Sequence, residues 1–132
     1  MSLKNTGGKI CKAEIFTIEM REDGILRIYA EEDKVVDMRL YQLMIQTIGE
    51  LCEGRKVPIL STAGELTIPN EEVRKYMANP DSNPYCKALA MVGPSLSQKI
   101  LGNIYAHNMI QQRPTRMFRS EEEAILWLKG FV

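Results

Sequence analysis

The chain has a single histidine, His107, which limits the acid–base chemistry that the sequence can support. Metal sites built from several imidazoles and schemes with paired histidines are excluded, and a nucleophile–histidine pair would have to use this residue. His107 lies at the end of a predicted helix beside Asn108, where the helix dipole favours a positive group. We interpret it as structural or solvated, and we expect neither enzymatic activity nor a metal or cofactor.

Hydroxyl groups occur at positions where α/β proteins often bind ligands. Ser61 and Thr62 end a predicted buried strand, and ligands commonly bind outside the carboxyl ends of such strands. Ser95 follows a Gly-Pro turn at the predicted start of a helix, where backbone N–H groups could hold an anion, although we favour simple capping as the role of this serine. We predict that Ser61, Thr62 and Ser95 line one edge of the domain as a candidate ligand or partner site.

Three arginines, Arg113, Arg116 and Arg119, surround a short predicted strand. Such a basic cluster could bind a phosphate, a lipid head group or an acidic partner. The alternative is a set of surface ion pairs with the acidic run 121–123. That run also suits the first turn of a helix, where negative charge complements the dipole.

The segment 102–110, which contains Asn103, Tyr105 and Met109, keeps apolar residues where the predicted helix should end. This pattern predicts an exposed hydrophobic surface for a homodimer or for another protein.

Composition indicates an ordinary globular domain. Seventeen basic residues balance seventeen acidic ones, which argues against a nucleic-acid partner that is bound through many phosphates.

We expect no transmembrane segment and no signal peptide, since no apolar run is long enough and the N-terminus lacks an apolar stretch. Cys11, Cys52 and Cys86 are odd in number and widely spaced, which favours reduced, mostly buried thiols in a cytoplasmic protein.

Hydrophobic periodicity predicts an α/β fold with the element order β-β-α-β-α-β-α-β-α. We assign residues 1–10 to a disordered or expression-derived tail and residues 11–132 to one domain with a shared apolar core. The predicted strands are 12–18, 24–30, 57–62, 86–92 and 115–118. Four helices start at the N-caps Asp37, Asn70, Ser95 and Ser120. Gly49 inside the first helix indicates a close packing contact. The fold class is a mixed sheet, with an antiparallel N-terminal hairpin and later parallel strands, on which the helices pack.

The C-terminal half carries a recognisable pattern. The runs KALAMVGPSLSQKILGNIYAHN, RPTRMF and SEEEAILWLK give an Ala-rich strand, a Gly-Asn helix, a Pro-Thr-x-x-Phe strand and an acidic helix ending in Trp-Leu. This pattern resembles the SpoIIAA-like, or STAS-like, bacterial proteins. DGILRIYA and NEEVRKYM resemble the second strand and second helix of that family more loosely. The resemblance spans about residues 12–131.

The resemblance implies a STAS-type fold related to anti-anti-sigma factors, which bind a kinase or a sigma-factor antagonist and carry a switch serine before a helix. Here the matching stretch 66–72 has no serine, and glutamates occupy the corresponding positions. Many relatives also have an Asp at the end of the third strand, where this chain has Thr62. We therefore expect a regulatory or protein-interaction module without the phosphoserine switch.

Two other functions remain open at this point. The eight methionines and the segment 102–112 also suit a small carrier domain that binds a lipid or another apolar ligand between sheet and helices. An enzyme would have to use Thr62, Ser95, His107 and the arginines, from which no mechanism can be assembled.

Overall fold

The computed structural model describes residues 8–64, 67–93 and 113–132, which form a mixed β-sheet with helices packed on it. The strands are β1 (Lys9–Ala13), β2 (Phe16–Met20), β3 (Leu26–Ala30), β4 (Val35–Val36), β5 (Val57–Ala63), β6 (Ile68–Pro69), β7 (Cys86–Val92) and β8 (Thr115–Phe118). The helices are α1 (Met38–Leu51), α2 (Glu71–Met77) and α3 (Glu121–Leu128), with short 3-10 turns at Pro80–Ser82 and Lys129–Phe131.

The main sheet has six strands within the described ranges, in the order β1-β2-β3-β5-β7-β8. The first three strands are antiparallel neighbours, whereas β3, β5, β7 and β8 run parallel. β4 and β6 form a separate parallel pair. The predicted mixed sheet, antiparallel first and parallel later, is confirmed.

Helix α1 shows how local sequence sets an element. Its N-cap is Asp37, whose Oδ1 accepts a hydrogen bond from the Leu40 N–H at 2.8 Å. The helix ends at Leu51 with Cys52 as its C-cap, and the chain then turns through Glu53 and Gly54, whose φ values are +56° and +75°. Glycine adopts this left-handed conformation without strain. A Cβ at Gly49 would lie 2.7 Å from the Tyr85 ring, so the predicted close packing at this glycine is confirmed.

The sheet divides the buried apolar residues into two clusters, which corrects the expectation of one shared core. Ile59 of β5 packs in one cluster with Ile48 of α1. Its neighbour Leu60 packs in the other cluster with Leu128 of α3. Successive side chains of a strand point to opposite faces, so one strand contributes to both clusters.

The N-terminal boundary differs from the prediction. Lys9 and Ile10, which the sequence assigns to the tail, belong to β1 and pair with β2. The predicted strand 12–18 is wrong, because the chain turns at Glu14, whose φ is +53°, and its two halves belong to β1 and β2. β1 is a largely exposed edge strand, and such a strand has little apolar periodicity to reveal it.

The described residues contain three α-helices rather than the four predicted. The stretch to which the sequence assigns the remaining helix, from Ser95 onward, lies outside the described residues. The N-caps Asn70 and Ser120 are confirmed, since their side chains accept from the Val73 and Glu123 N–H groups. The two-residue strands β4 and β6 were not predicted, because two residues show no periodicity.

Candidate functional site

Thr62, near the carboxyl end of β5, belongs to a polar junction that attaches helix α3 to the sheet. Its Oγ1 donates to Glu121 Oε1 at 3.3 Å, and the same oxygen accepts from Arg27 Nε at 2.6 Å. The junction therefore joins β3, β5 and the first turn of α3. Ser61 precedes Thr62 on the same strand and is half-buried.

The polar junction extends inward to a buried carboxylate that sequence reasoning missed. Glu19 is 0% exposed and Arg27 is 6% exposed, and the two residues are directly opposed on β2 and β3. Directly opposed residues of an antiparallel pair share one face of the sheet, so these two side chains are neighbours. Two ionisable residues of opposite sign within largely apolar strands are a sequence signal that could have found them. Arg27 forms its ion pair with Glu121, and this buried pairing at the sheet points to a structural role.

The structure places the three predicted arginines in different surroundings. Arg113 precedes β8 and is buried, with 8% of its surface exposed, and its Nη1 donates to the Asn83 carbonyl oxygen at 3.2 Å. Arg116 lies on β8, exposed, with its guanidinium 5.0 Å from the centre of the Phe118 ring. Arg119 is exposed beyond the strand. The cause is strand β8 itself, which carries the chain from one end of the sheet to the other.

A cavity of about 340 Å³ lies at the amino ends of β5, β7 and β8. Three separate loops form it, because each of these parallel strands begins at the same end of the sheet. The residues that line the cavity are Lys56, Asp81, Asn83, Pro84, Cys86, Lys87, Arg113 and Pro114. The cavity thus gathers three cationic side chains and one carboxylate.

Two buried neutral groups lie close to the charge of Arg113. Burial raises the pKa of the Cys86 thiol, although the charge of Arg113 and a hydrogen bond from it act in the opposite direction. Burial also raises the pKa of Tyr41 to about 12, against the lowering influence of the Ser82 hydroxyl and of Arg113. Both groups are therefore uncharged at neutral pH.

The N-terminus of α2 follows the stretch that corresponds to the switch region of the SpoIIAA-like proteins. Asn70 caps the helix by accepting from the Val73 N–H at 2.9 Å, and Glu71 and Glu72 are exposed in the first turn. Thr67 is 5% exposed. Its Oγ1 accepts from the Lys34 N–H at 3.2 Å and donates to the Glu31 carbonyl oxygen.

Four of the predicted site residues lie outside the described residues, namely Ser95, Asn103, Tyr105 and Met109. The same holds for His107. The grouping of Ser95 with Ser61 and Thr62, and the hydrophobic surface at 102–110, therefore stay predictions.

Comparison of the sequence with known protein families gives a match that covers most of the chain. Residues 18–132 match the family described as Domain of unknown function (DUF7793). The chain belongs to the DUF7793 family. No curated protein gave a significant match.

The DUF7793 chain has a SpoIIAA-like fold. It is similar to the crystal structure of an uncharacterized DUF3478-family protein from Shewanella loihica PV-4, described as having a SpoIIAA-like fold. The TM-score is 0.59 at 14% sequence identity, over 92% of this chain and 91% of that chain. The predicted resemblance is thus confirmed at the level of the fold.

Other features of the DUF7793 chain concern membranes and metals. No helix in the described part of the chain is long and apolar enough to cross a bilayer. Among the same residues, no group of three or more His, Cys, Asp or Glu side chains is placed to hold a metal ion.

Sequence reasoning missed Lys56 and Lys87 as partners of Arg113. Lys56 directly precedes β5, Lys87 is the second residue of β7, and Arg113 lies two residues before β8. Basic residues at the starts of three strands are a signal, because parallel neighbours bring their amino ends to one edge of the sheet. The prediction considered only the opposite, carboxyl edge, where ligands of open α/β sheets usually bind.

Proposed function

We propose that this DUF7793 chain is a non-catalytic regulatory module that binds another protein, or a second copy of itself, without a phosphoserine switch. The observation that carries the proposal is the SpoIIAA-like fold, matched over nine-tenths of both chains. The anti-anti-sigma factors that this fold resembles act by binding other proteins. The fold therefore favours a protein-binding role over an enzymatic one.

We assign partner binding to the β4–α2 surface, which we define by Val35, Glu71 and Glu72. Val35 is 59% exposed, which is unusual for a valine in a paired strand. It pairs with Ile68, three residues before the exposed acidic turn of α2. An apolar side chain beside two negative charges suits a partner with an apolar contact patch and basic residues around it.

The hydroxyl group of the switch region supports a role without phosphorylation. In residues 66–72, Thr67 is the one residue with a hydroxyl group, and both of its bonds to the backbone lie in the interior. A kinase would have to open this part of the fold to reach it. The charge that phosphorylation would add is already supplied, in part, by Glu71 and Glu72.

The proposed setting is the cytoplasm of a bacterial cell. Cys52 and Cys86 are buried thiols without a disulfide, and Cys11 is a partly exposed one. Reducing compartments keep such thiols free, which supports this setting.

The alternative of an apolar carrier receives little support from the cavity. Its volume is adequate for a small ligand, but five of its eight lining residues are polar or charged, namely two lysines, an arginine, an aspartate and an asparagine. An apolar molecule would leave these groups without partners.

Affinity capture from a host lysate tests the proposal, with the untagged protein analysed by native mass spectrometry for a homodimer. The test variant is Glu71→Lys/Glu72→Lys, and the matched control is Glu122→Lys/Glu123→Lys, which reverses two exposed charges in the first turn of α3. We expect the wild type and the control to retain one partner protein or to form a homodimer. We expect the test variant neither to retain that protein nor to dimerise. A strict monomer that retains nothing would refute the proposal.

A further inference from the structure

We propose that the cavity at the amino ends of β5, β7 and β8 binds the phosphate group of a small phosphorylated molecule. This site goes beyond the proposed function. It lies at the amino ends of the parallel strands, whereas Thr62 lies near the carboxyl end of β5. It also involves none of the residues of the β4–α2 surface.

The charge of the lining selects an anion. The lining contains three basic residues, Lys56, Lys87 and Arg113, and one acidic residue, Asp81, so its formal net charge is two positive units. A phosphate monoester carries about −1.5 to −2 at neutral pH, which matches this charge more closely than a single carboxylate does. Charge balance therefore favours a phosphate over a carboxylate ligand.

Arg113 provides the fixed part of the site. Its side chain is buried, and the bond from Nη1 to the Asn83 carbonyl oxygen holds the guanidinium at the cavity wall. A guanidinium presents N–H donors in a planar fork that matches two phosphate oxygens. Lys56 and Lys87 are exposed at the rim and add mobile point charges.

Asn83 gives a second reason to expect a polar ligand. Its side-chain oxygen is buried, yet it has no hydrogen-bond partner among the described residues. Buried polar atoms of this kind are rare and call for an explanation. The oxygen and nitrogen of an amide exchange places by rotation about the last side-chain bond, and the rotated NH2 group would donate to a phosphate oxygen.

The size of the cavity limits the ligand to a small molecule. A volume of about 340 Å³ is near the lower end of the range for ligand sites, about 300 to 1,000 Å³. It accommodates a phosphate with a small attached group. The neutral Cys86 thiol adds no negative charge to the cavity that would oppose the anion.

Titration of the whole chain with inorganic phosphate and with methyl phosphate, followed by amide NMR at constant ionic strength, tests this site. We expect saturable shifts at residues 56, 81–87 and 113, and a weaker response to acetate. Affinity for methyl phosphate should rise as the pH passes the second pKa of the ester, which is about 6.

The test variant is Lys56→Ala/Lys87→Ala, and the matched control is Lys9→Ala/Lys12→Ala, which removes two exposed lysines from the edge strand β1. We expect the test variant to weaken phosphate binding about fivefold to tenfold and the control to leave it unchanged. Arg113→Lys should weaken phosphate binding further. If Arg113→Lys fails to fold, the comparison of Lys56→Ala/Lys87→Ala with Lys9→Ala/Lys12→Ala still decides the test.

Three results would overturn the proposal. These are equal responses to phosphate and chloride, equal losses in both lysine double variants, and shifts confined to residues outside the cavity. Glu71→Lys/Glu72→Lys should bind phosphate normally, so the cavity and the proposed protein partner can fail independently.

Discussion

At the scale of single residues, the loss of Arg27 should lower stability. It is opposed in register to the buried Glu19 on the neighbouring strand and forms an ion pair with Glu121 at the start of α3. A buried ion pair adds little net stability over apolar residues, but removal of one partner leaves an uncompensated charge in the interior.

We expect Arg27→Met to lower the free energy of unfolding by about 3 kcal/mol, measured by urea denaturation. Arg39→Met is the matched control, because Arg39 forms an exposed pair with Glu14, with side chains 66% and 46% exposed, and such pairs contribute little to stability. Glu19→Met combined with Arg27→Met should recover much of the loss. Equal costs for Arg27→Met and Arg39→Met would contradict this view of the junction.

Asp23, in the turn between β2 and β3, should make stability depend on pH. Burial opposes its charge, but the hydrogen bonds from Arg21 and from the Ile25 N–H, with the charge of Arg21, outweigh burial and lower its pKa. A pKa that is lower in the folded state gives stability that is fully present above the unfolded value, about 3.9. This stability is lost as the pH falls through the folded value.

We therefore expect Asp23→Asn to be less stable than the wild type at pH 7, by less than about 1 kcal/mol because the pair is partly exposed. The difference should shrink steadily below pH 4 in urea denaturation curves. Glu22→Gln, an exposed change in the same turn, should show no such convergence. A difference that stays constant down to pH 2 would speak against the role of Asp23.

At the scale of elements, the contact between α1 and the loop before β7 is set by the absence of a side chain. Gly49 lies against the Tyr85 ring, and the Tyr85 carbonyl accepts from the first residue of β5. A glycine inside a helix costs about 1 kcal/mol relative to alanine, so this position exchanges helix propensity for close packing.

A double-mutant cycle tests that exchange. In a Tyr85→Ala background, Gly49→Ala should stabilise the protein by about 1 kcal/mol, because the ring is gone and only the propensity gain remains. In the wild type, the added methyl meets the ring, and the gain should be absent or reversed. Thermal denaturation of the four proteins gives the coupling, and additive effects would show that ring and helix do not interact.

An element is easier to predict from sequence when a few consecutive residues encode it. The N-caps Asp37, Asn70 and Ser120 were found because a cap is encoded within four residues. Strand β1 was missed because an exposed edge strand shows no apolar alternation, and it is shielded instead by charged residues such as Lys9 and Lys12.

The candidate site was harder to predict than the fold, because it depends on contacts between distant parts of the chain. The cavity joins loops near residues 56, 83 and 113, and only the strand order brings these loops together. Arg113 was predicted as a candidate, but the basic residues that line the cavity with it are Lys56 and Lys87, not its sequence neighbours Arg116 and Arg119. Strand β8 places Arg113 and Arg119 at its opposite ends, and the parallel strands bring Lys56, Lys87 and Arg113 to one edge of the sheet.

At the scale of the whole molecule, two proposed binding surfaces lie apart. We propose a protein partner for the β4–α2 surface and a small phosphorylated ligand for the cavity at the amino ends of the parallel strands. The Arg27–Glu121 junction lies elsewhere and holds α3 on the sheet.

Hydrogen exchange of the chain, alone and with the protein that it captures or dimerises with, tests the central claim most directly. We expect slower exchange in residues 34–36 and 67–74 when the partner is bound, with unchanged exchange at 83–87 and 113–116. Protection confined to the edge strand β1 or to the cavity, with none at the start of α2, would contradict it.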